Sequence, residues 1–275
     1  MKGGILNGLY AIQALLAQGY RSFGEIRMLC VSDEEIPVRH SRDIIRKACR
    51  GSQVALVLES ARANGALVSA RKGGANYTLT ARGHAAHAGV EPEKGRNAII
   101  ELAHQLLQFA SLNGWREGLS INPGVITGGT MTNVVPDYAK ISFDVRYLHS
   151  EDRRALEERW HEMVQEQRVP GVELTLEVPE EYGEPMVLTP ESLKLARRAQ
   201  EIAALLGFSV DHVATGGGSD GNLAAQFGVP VLDGLGPVGG LDHSPDEYLL
   251  VSSIAPRTAL LAGLIVSAGS ATDFP

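Results

Sequence analysis

The chain has 275 residues, 44% of them hydrophobic and 21% charged, with a formal net charge of -7 at pH 7. That is enough apolar material for one large domain or two ordinary ones. The acidic balance argues against a nucleic-acid surface, which needs a clustered excess of Lys and Arg.

Taken in chain order, Ile5, Leu6, Leu9, Ile12, Leu15 and Leu16 recur at helical spacing, and "GEIRMLCVSD" reads as a strand buried on both faces. "SRDIIRKAC" places a serine in cap position before a helix, and "VALVLES" is a short apolar strand. This is the alternation of an α/β domain with a mostly parallel sheet, whose strand ends are where ligands bind. From Lys72 the pattern changes. Strand "ANYTLTARG", helix "NAIIELAHQLLQFA", strands "LSINPGVITGG" and "AKISFDVRY", helix "EDRRALEERWHEMVQEQ" and strand "VELTLEV" follow in the order β-α-β-β-α-β. That order is the split βαβ, ferredoxin-like unit. After residue 182 alternation resumes with "SLKLARRAQEIAALL", "VDHVAT", "SDGNLAAQF", "VPVLDGL" and a last helix from Ser252. The expected organisation is a split α/β domain, residues 1–71 and 183–275, interrupted by an α+β domain at 72–182. No run approaches the roughly 18 apolar residues of a membrane span. The start, "MKGGILNGLY", lacks a secretory signal pattern. A cytoplasmic protein with no membrane or nucleic-acid partner is therefore expected. Cys30 and Cys49 lack C-x-x-C spacing and read as reduced structural thiols.

Four segments put acids, histidines or glycines at strand ends of the split domain: "SDEEIP", "VLES", "TGGGSD" and "LDHSPDEY". Strand ends of an α/β sheet converge on one rim, so Glu34, Glu35, Glu59 and His243 are candidates for a shared site. Carboxylates and imidazole are ligands for zinc, or for manganese or cobalt in a looser site, and an extra carboxylate beside them suits a general base. Singly, Glu59 also suits a capping acid and His243 a surface loop. "TGGGSDG" has neither the Lys of a P-loop nor dinucleotide-fold spacing; Ser219 and Asp220 suit a helix cap.

"SDEEI", "ARGHAAHAGVEPEKGRNAI", "GGTMTNVVPDYAKISFDVR", "TGGGSDG" and "HSPDEYL" resemble the di-zinc aminoacyl and carboxypeptidase family. That family includes glutamate carboxypeptidase, acetylornithine deacetylase, succinyl-diaminopimelate desuccinylase and aminoacylase. The resemblance runs over essentially the whole chain and favours the glutamate carboxypeptidase branch. It implies hydrolysis of the amide bond of an N-acyl amino acid or small peptide, two zinc ions per site, and a homodimer formed through the inserted lid domain. Glu34 matches the family's general base. Glu35 and His243 match ligands of one metal, and Glu59 a ligand of the other. His87 of "AHAG" matches a histidine that reaches the partner subunit's site to steady the oxyanion, whereas His84 is off the motif. Asn133 and Arg146 match groups used for the substrate and its carboxylate, although each also suits a plain structural role, Asn133 in a turn and Arg146 as a paired surface residue. The glycines, Gly217 and Gly218 among them, match backbone that approaches the substrate.

The sequence departs from the family at Pro37, where Gly is common, and at Ser60, where Pro is usual. In the family an Asp directly before the "MKGG" stretch bridges the metals and a metal-binding His lies further upstream. With neither in this chain, the resemblance implies an incomplete catalytic domain holding at most one metal weakly. The alternative to a hydrolase is an inactive fragment or non-catalytic dimeric binding protein of the same fold.

Overall fold

The computed structural model describes residues 2–35, 40–179 and 183–270. Pro37 and the expected boundary at residue 182 lie outside the described residues. The chain divides into two compact units, one of Met1–Arg71 with Met186–Pro275 and one of Lys72–Pro185.

The first unit opens with α1 (Lys2–Ala17), α2 (Arg42–Cys49), β1 (Ala55–Leu56) and β2 (Leu67–Arg71). Helix α1 forms, but it packs through a face unlike that of its apolar residues. Gly4, Asn7, Gly8, Ala11 and Leu15 are buried, while Ile5, Leu6, Leu9 and Leu16 are exposed. A Cβ on Gly4 would lie 2.1 Å from the Leu58 carbonyl oxygen, so only the bare glycine surface lets the helix approach the chain this closely. Residues 24–33, expected as a buried strand, form none, and Leu29 and Cys30 in that run are exposed. A strand exists only as a hydrogen-bonded pair, and among the described residues no neighbour completes this one. The strand expected over "VALVLES" shrinks to the two residues of β1. Strand β2 escaped the sequence reading because it runs almost directly into the next strand with no turn signal between them.

The second unit contains β3 (Gly73–Arg82), α3 (Ala98–Ser111), β4 (Ser120–Gly128), β5 (Tyr138–Tyr147), α4 (Ser150–Met163) and β6 (Glu173–Glu177). Its sheet has the order β4-β5-β3-β6, every neighbouring pair antiparallel, which is the ferredoxin-like arrangement. Strand β5 alternates between covered and more open residues along its length, as a sheet with helices on one face requires. Asn97 caps α3 by accepting the Ile100 N–H at 3.0 Å. Beneath the helices, Trp160 stacks on Phe109 at 4.4 Å between centroids and meets the Tyr77 ring edge-on at 5.1 Å.

The chain then returns to the first unit as α5 (Pro190–Leu205), β7 (His212–Thr215), α6 (Asp220–Gln226), β8 (Val231–Leu232), β9 (Gly239–Gly240), β10 (Tyr248–Leu249) and α7 (Ile254–Ser270). Strand β1 pairs with β8 and β2 with β7, both parallel, while β9 and β10 are antiparallel. The parallel sheet is thus present as two short pairs. Contrary to the sequence expectation, Val251–Gly269 is long and apolar enough to cross a membrane by length and composition. In this unit Leu260, Leu261 and Leu264 of that helix are core residues, packed with Leu195 and Ala199 of α5.

Trp160→Ala should remove the centre of the second unit's aromatic cluster and cost about 3–5 kcal/mol. Urea unfolding followed by hydrogen exchange in β3 and β5 reads this directly, and an unmoved midpoint would show that the stack does not support the core.

Candidate active site

The acidic turn that ends the 24–33 run is anchored by its first member. Asp33 is buried and accepts the Ser41 N–H at 2.8 Å, while Ser41, the residue expected to cap α2, makes no side-chain cap bond. Glu34 and Glu35 are thereby held beside the start of α2. The Glu35 Oε1 lies 3.1 Å from His243 Nε2, with both side chains largely exposed. His243 sits in the turn between β9 and β10 with φ of 64°, and Leu241 has φ of 59°. Such left-handed conformations cost about 1–2 kcal/mol for a residue with a Cβ. The turn is secured by Ser244, whose hydroxyl donates to the Leu241 carbonyl at 2.7 Å and accepts the Asp246 N–H at 3.2 Å.

Glu59 follows β1, where its carbonyl accepts the Gly236 N–H at 2.8 Å. Burial pushes its carboxyl up to about 7, and the negative charges of Asp233 and Glu34 add to the rise against the opposing pull of Arg71. The fold therefore brings Glu35 to His243, and Glu34 within electrostatic reach of Glu59. A carboxylate and an imidazole sharing one hydrogen bond are donors of the right kind for zinc, but a catalytic zinc takes about three protein ligands. Among the described residues no group of three or more His, Cys, Asp and Glu gathers closely enough to hold a metal. The fit is one of donor type and not of donor number.

The glycine loop lies between β7 and α6, with Gly217 and Gly218 exposed. Ser219 caps α6 in a reciprocal capping box with Asn222, as its position after the glycines suggested.

In the second unit, the segments carrying His87 and Asn133 are paired. The Ala88 N–H donates to the Asn133 carbonyl at 3.0 Å and the Val135 N–H to the Ala86 carbonyl at 2.9 Å. His87 Nδ1 accepts the Gly89 N–H at 3.2 Å, so the neutral ring carries its proton on Nε2 and offers it as a donor. Arg146 is elsewhere. It is near the far end of β5, opposite Gly74, whereas Tyr138 at the near end is opposite Arg82. The eight-residue separation along β5 corresponds to about 27 Å. Arg146 grips Asp144 with Nε and Nη2, each at 3.0 Å. Exposed pairs of this kind contribute only about 0–1 kcal/mol, so the guanidinium is readily given to another carboxylate.

A family model described as "Peptidase dimerisation domain" matches residues 69–172. Carboxypeptidase G2 of a Pseudomonas species is 31% identical over 98% of this chain. Succinyl-diaminopimelate desuccinylase of Acidovorax ebreus is 30% identical over 93% of this chain and is itself covered over 67% of its length. The chain belongs to the M20 peptidase family. Its M20 relatives bear the names of hydrolases, and this chain is classed with them. It spans 65% of the length of the carboxypeptidase. An aminopeptidase, PepT, of Bacillus cereus has the same fold, with a TM-score of 0.79 at 24% identity over 97% of this chain and 70% of that one.

Sequence reasoning missed Arg71 and Asp233, the buried pair behind the M20 glycine loop, because nothing local joins residues 162 positions apart. Glu59 supplies a test of the acidic cluster. With its folded carboxyl near 7 and an ordinary value of 4.5, the native state keeps a proton that the unfolded chain loses between those values. Stability should therefore fall as pH rises from about 4.5 to about 7 and then level off. Thermal melts in chelator should show that decline, and Glu59→Gln should flatten it; equal slopes in both proteins would remove Glu59 from the cluster.

Proposed function

We propose that this chain belongs to a metal-dependent amide hydrolase acting on an N-acyl amino acid or small peptide, in the manner of a glutamate carboxypeptidase. The observation that carries the reading is the Glu35–His243 contact at 3.1 Å, beside Glu34, which lies within electrostatic reach of Glu59. Glu35 and His243 would hold one metal and Glu59 the second, zinc first, with cobalt or manganese as substitutes. A metal bound there would polarise the scissile carbonyl and make water more acidic. Glu34 takes the proton of the attacking water and returns it to the leaving amine. His87, through Nε2–H, donates to the developing oxyanion, a kind of bond whose loss costs about 2.7–4 kcal/mol in the transition state. Arg146 forks onto the substrate carboxylate, and Asn133 joins His87.

One lid does not bring all of these to one small substrate, since about 27 Å of strand separates Arg146 from the His87 end. The reading therefore takes His87 and Asn133 from the partner's lid in a homodimer. Strand β4 lies at the sheet edge, with Val125 and Ile126 exposed, and Ile99, Ile100 and Leu107 of α3 are exposed as well. An apolar edge strand of this kind is a template for pairing with a second copy. The absence of a three-donor group among the described residues favours a second reading, a dimeric binding protein of the same fold. Zinc content and hydrolysis of an acyl-glutamate separate the two.

In active protein, Glu34→Gln should retain metal and lose most of kcat, whereas Glu35→Gln should lose metal too. Equal metal loss in both variants would reverse the assignment of base and ligand. Ile126→Lys should turn the dimer into a monomer in sedimentation velocity; an unchanged sedimentation coefficient would place the interface away from β4.

A further inference from the structure

The glycine loop is open on one side and tied down on the other. Arg71, at the end of β2, has a side chain only 4% exposed. Its Nη1 donates to the Gly217 carbonyl at 2.9 Å and approaches that of Gly218 at 3.5 Å. Its Nε donates to Asp233 Oδ2 at 2.7 Å, and the same oxygen accepts the Ser219 hydroxyl at 2.6 Å. A peptide unit is planar and trans, so a carbonyl turned down towards Arg71 turns the N–H of the next residue away from it. For the Gly217 carbonyl, that outward group is the Gly218 N–H. Among the described residues neither the Gly217 nor the Gly218 N–H has a partner, while the Ser219 N–H is used by Asn222 Oδ1 at 3.0 Å. A Cβ added at Gly216 or Gly217 would meet nothing within 4 Å. Packing among the described residues therefore gives no reason for Gly216 or Gly217, and the space in front of the loop is open.

We propose that Arg71 is a positioning residue: by holding the Gly217 carbonyl from below, it presents the Gly218 amide as a ready donor to a substrate carboxylate. The carboxylate ligand rests on the hydrolase reading above, whereas the clamp rests on this loop alone. Recognition falls to the oriented amide rather than to net charge, because Asp233 neutralises the guanidinium behind it. The task needs the fork of Arg. One point-like ammonium cannot direct separate donors at Asp233 and at the glycine carbonyls with the same planar geometry.

The test uses the full chain labelled with 15N-glycine. N-acetyl-L-glutamate should shift the Gly218 amide resonance, and its diamide should not. Arg71→Lys keeps the charge without the fork. The double variant R71M/D233N removes both charges, so that no buried charge is stranded. In both, affinity for the acid should fall at least tenfold, and the ligand-free heteronuclear NOE of residues 216–218 should drop while glycines elsewhere keep their wild-type values. Folded variants with wild-type NOE values and wild-type affinity would overturn the proposal. Wild-type protein that shows no shift with the acid would refute carboxylate recognition at the loop and count against the substrate reading; the ligand-free NOE then decides the clamp by itself.

Discussion

A guanidinium and a carboxylate almost wholly removed from water, Arg71 and Asp233, hold the first unit together where its chemistry-bearing loops meet. Burying two charges is tolerable only when their remaining hydrogen-bonding capacity is met. Here Asp233 also takes the Ser219 hydroxyl and its neighbour's Gly234 N–H. The backbone around it is similarly committed. Asp233 exchanges both hydrogen bonds with Val68, the Leu235 N–H reaches the Val57 carbonyl at 3.1 Å, and the Gly236 N–H reaches the Glu59 carbonyl at 2.8 Å. Arg257, buried on α7, donates to the carbonyls of Gly65, Gly234 and Gly236, and desolvation lowers its pKa to about 10. The 233–236 segment is thus gripped by two arginines on different elements. The loop beside Glu59 and the loop bearing Gly217 have fixed places because this segment does.

The ferredoxin-like unit was legible because its elements carry their own signals. Strand β5 alternates, α3 has Asn97 as a real cap, and each element finds its partner within the same unit. The first unit was legible in order but not in pairing. Its strands depend on distant neighbours, so an apolar run such as 24–33 could not be told from a strand until its lack of a partner among the described residues was known. Helix α1 shows a different limit. Hydrophobic periodicity marks the face that prefers to leave water, but Gly4 and Gly8 mark the face that can come closest to another backbone, and closeness prevailed.

The candidate site has the same division. That Glu34, Glu35, Glu59 and His243 fall at strand ends can be read from the sequence. The 3.1 Å approach of Glu35 to His243 depends on two left-handed residues in one turn, Leu241 and His243, neither of a type that announces such a conformation. In the second unit, the motif position of His87 was visible. Its tautomer was not, since that follows from the direction of the Gly89 N–H.

The two passages of chain that join the units leave side by side. Arg71 and Met186 exchange backbone hydrogen bonds at 2.8 and 3.0 Å, and Gly74 and Gly183 do the same at 2.9 and 2.8 Å. For the first unit, an unstructured insertion from Lys72 to Pro185 would carry a ring-closure entropy on the order of 4 kcal/mol beyond a constant term. A folded insertion that brings its own ends together has already met that cost from its own core. The host then behaves as though it contained a short hairpin at this point, and the insert can lengthen or shorten in evolution without altering the stability of the sheet that carries it.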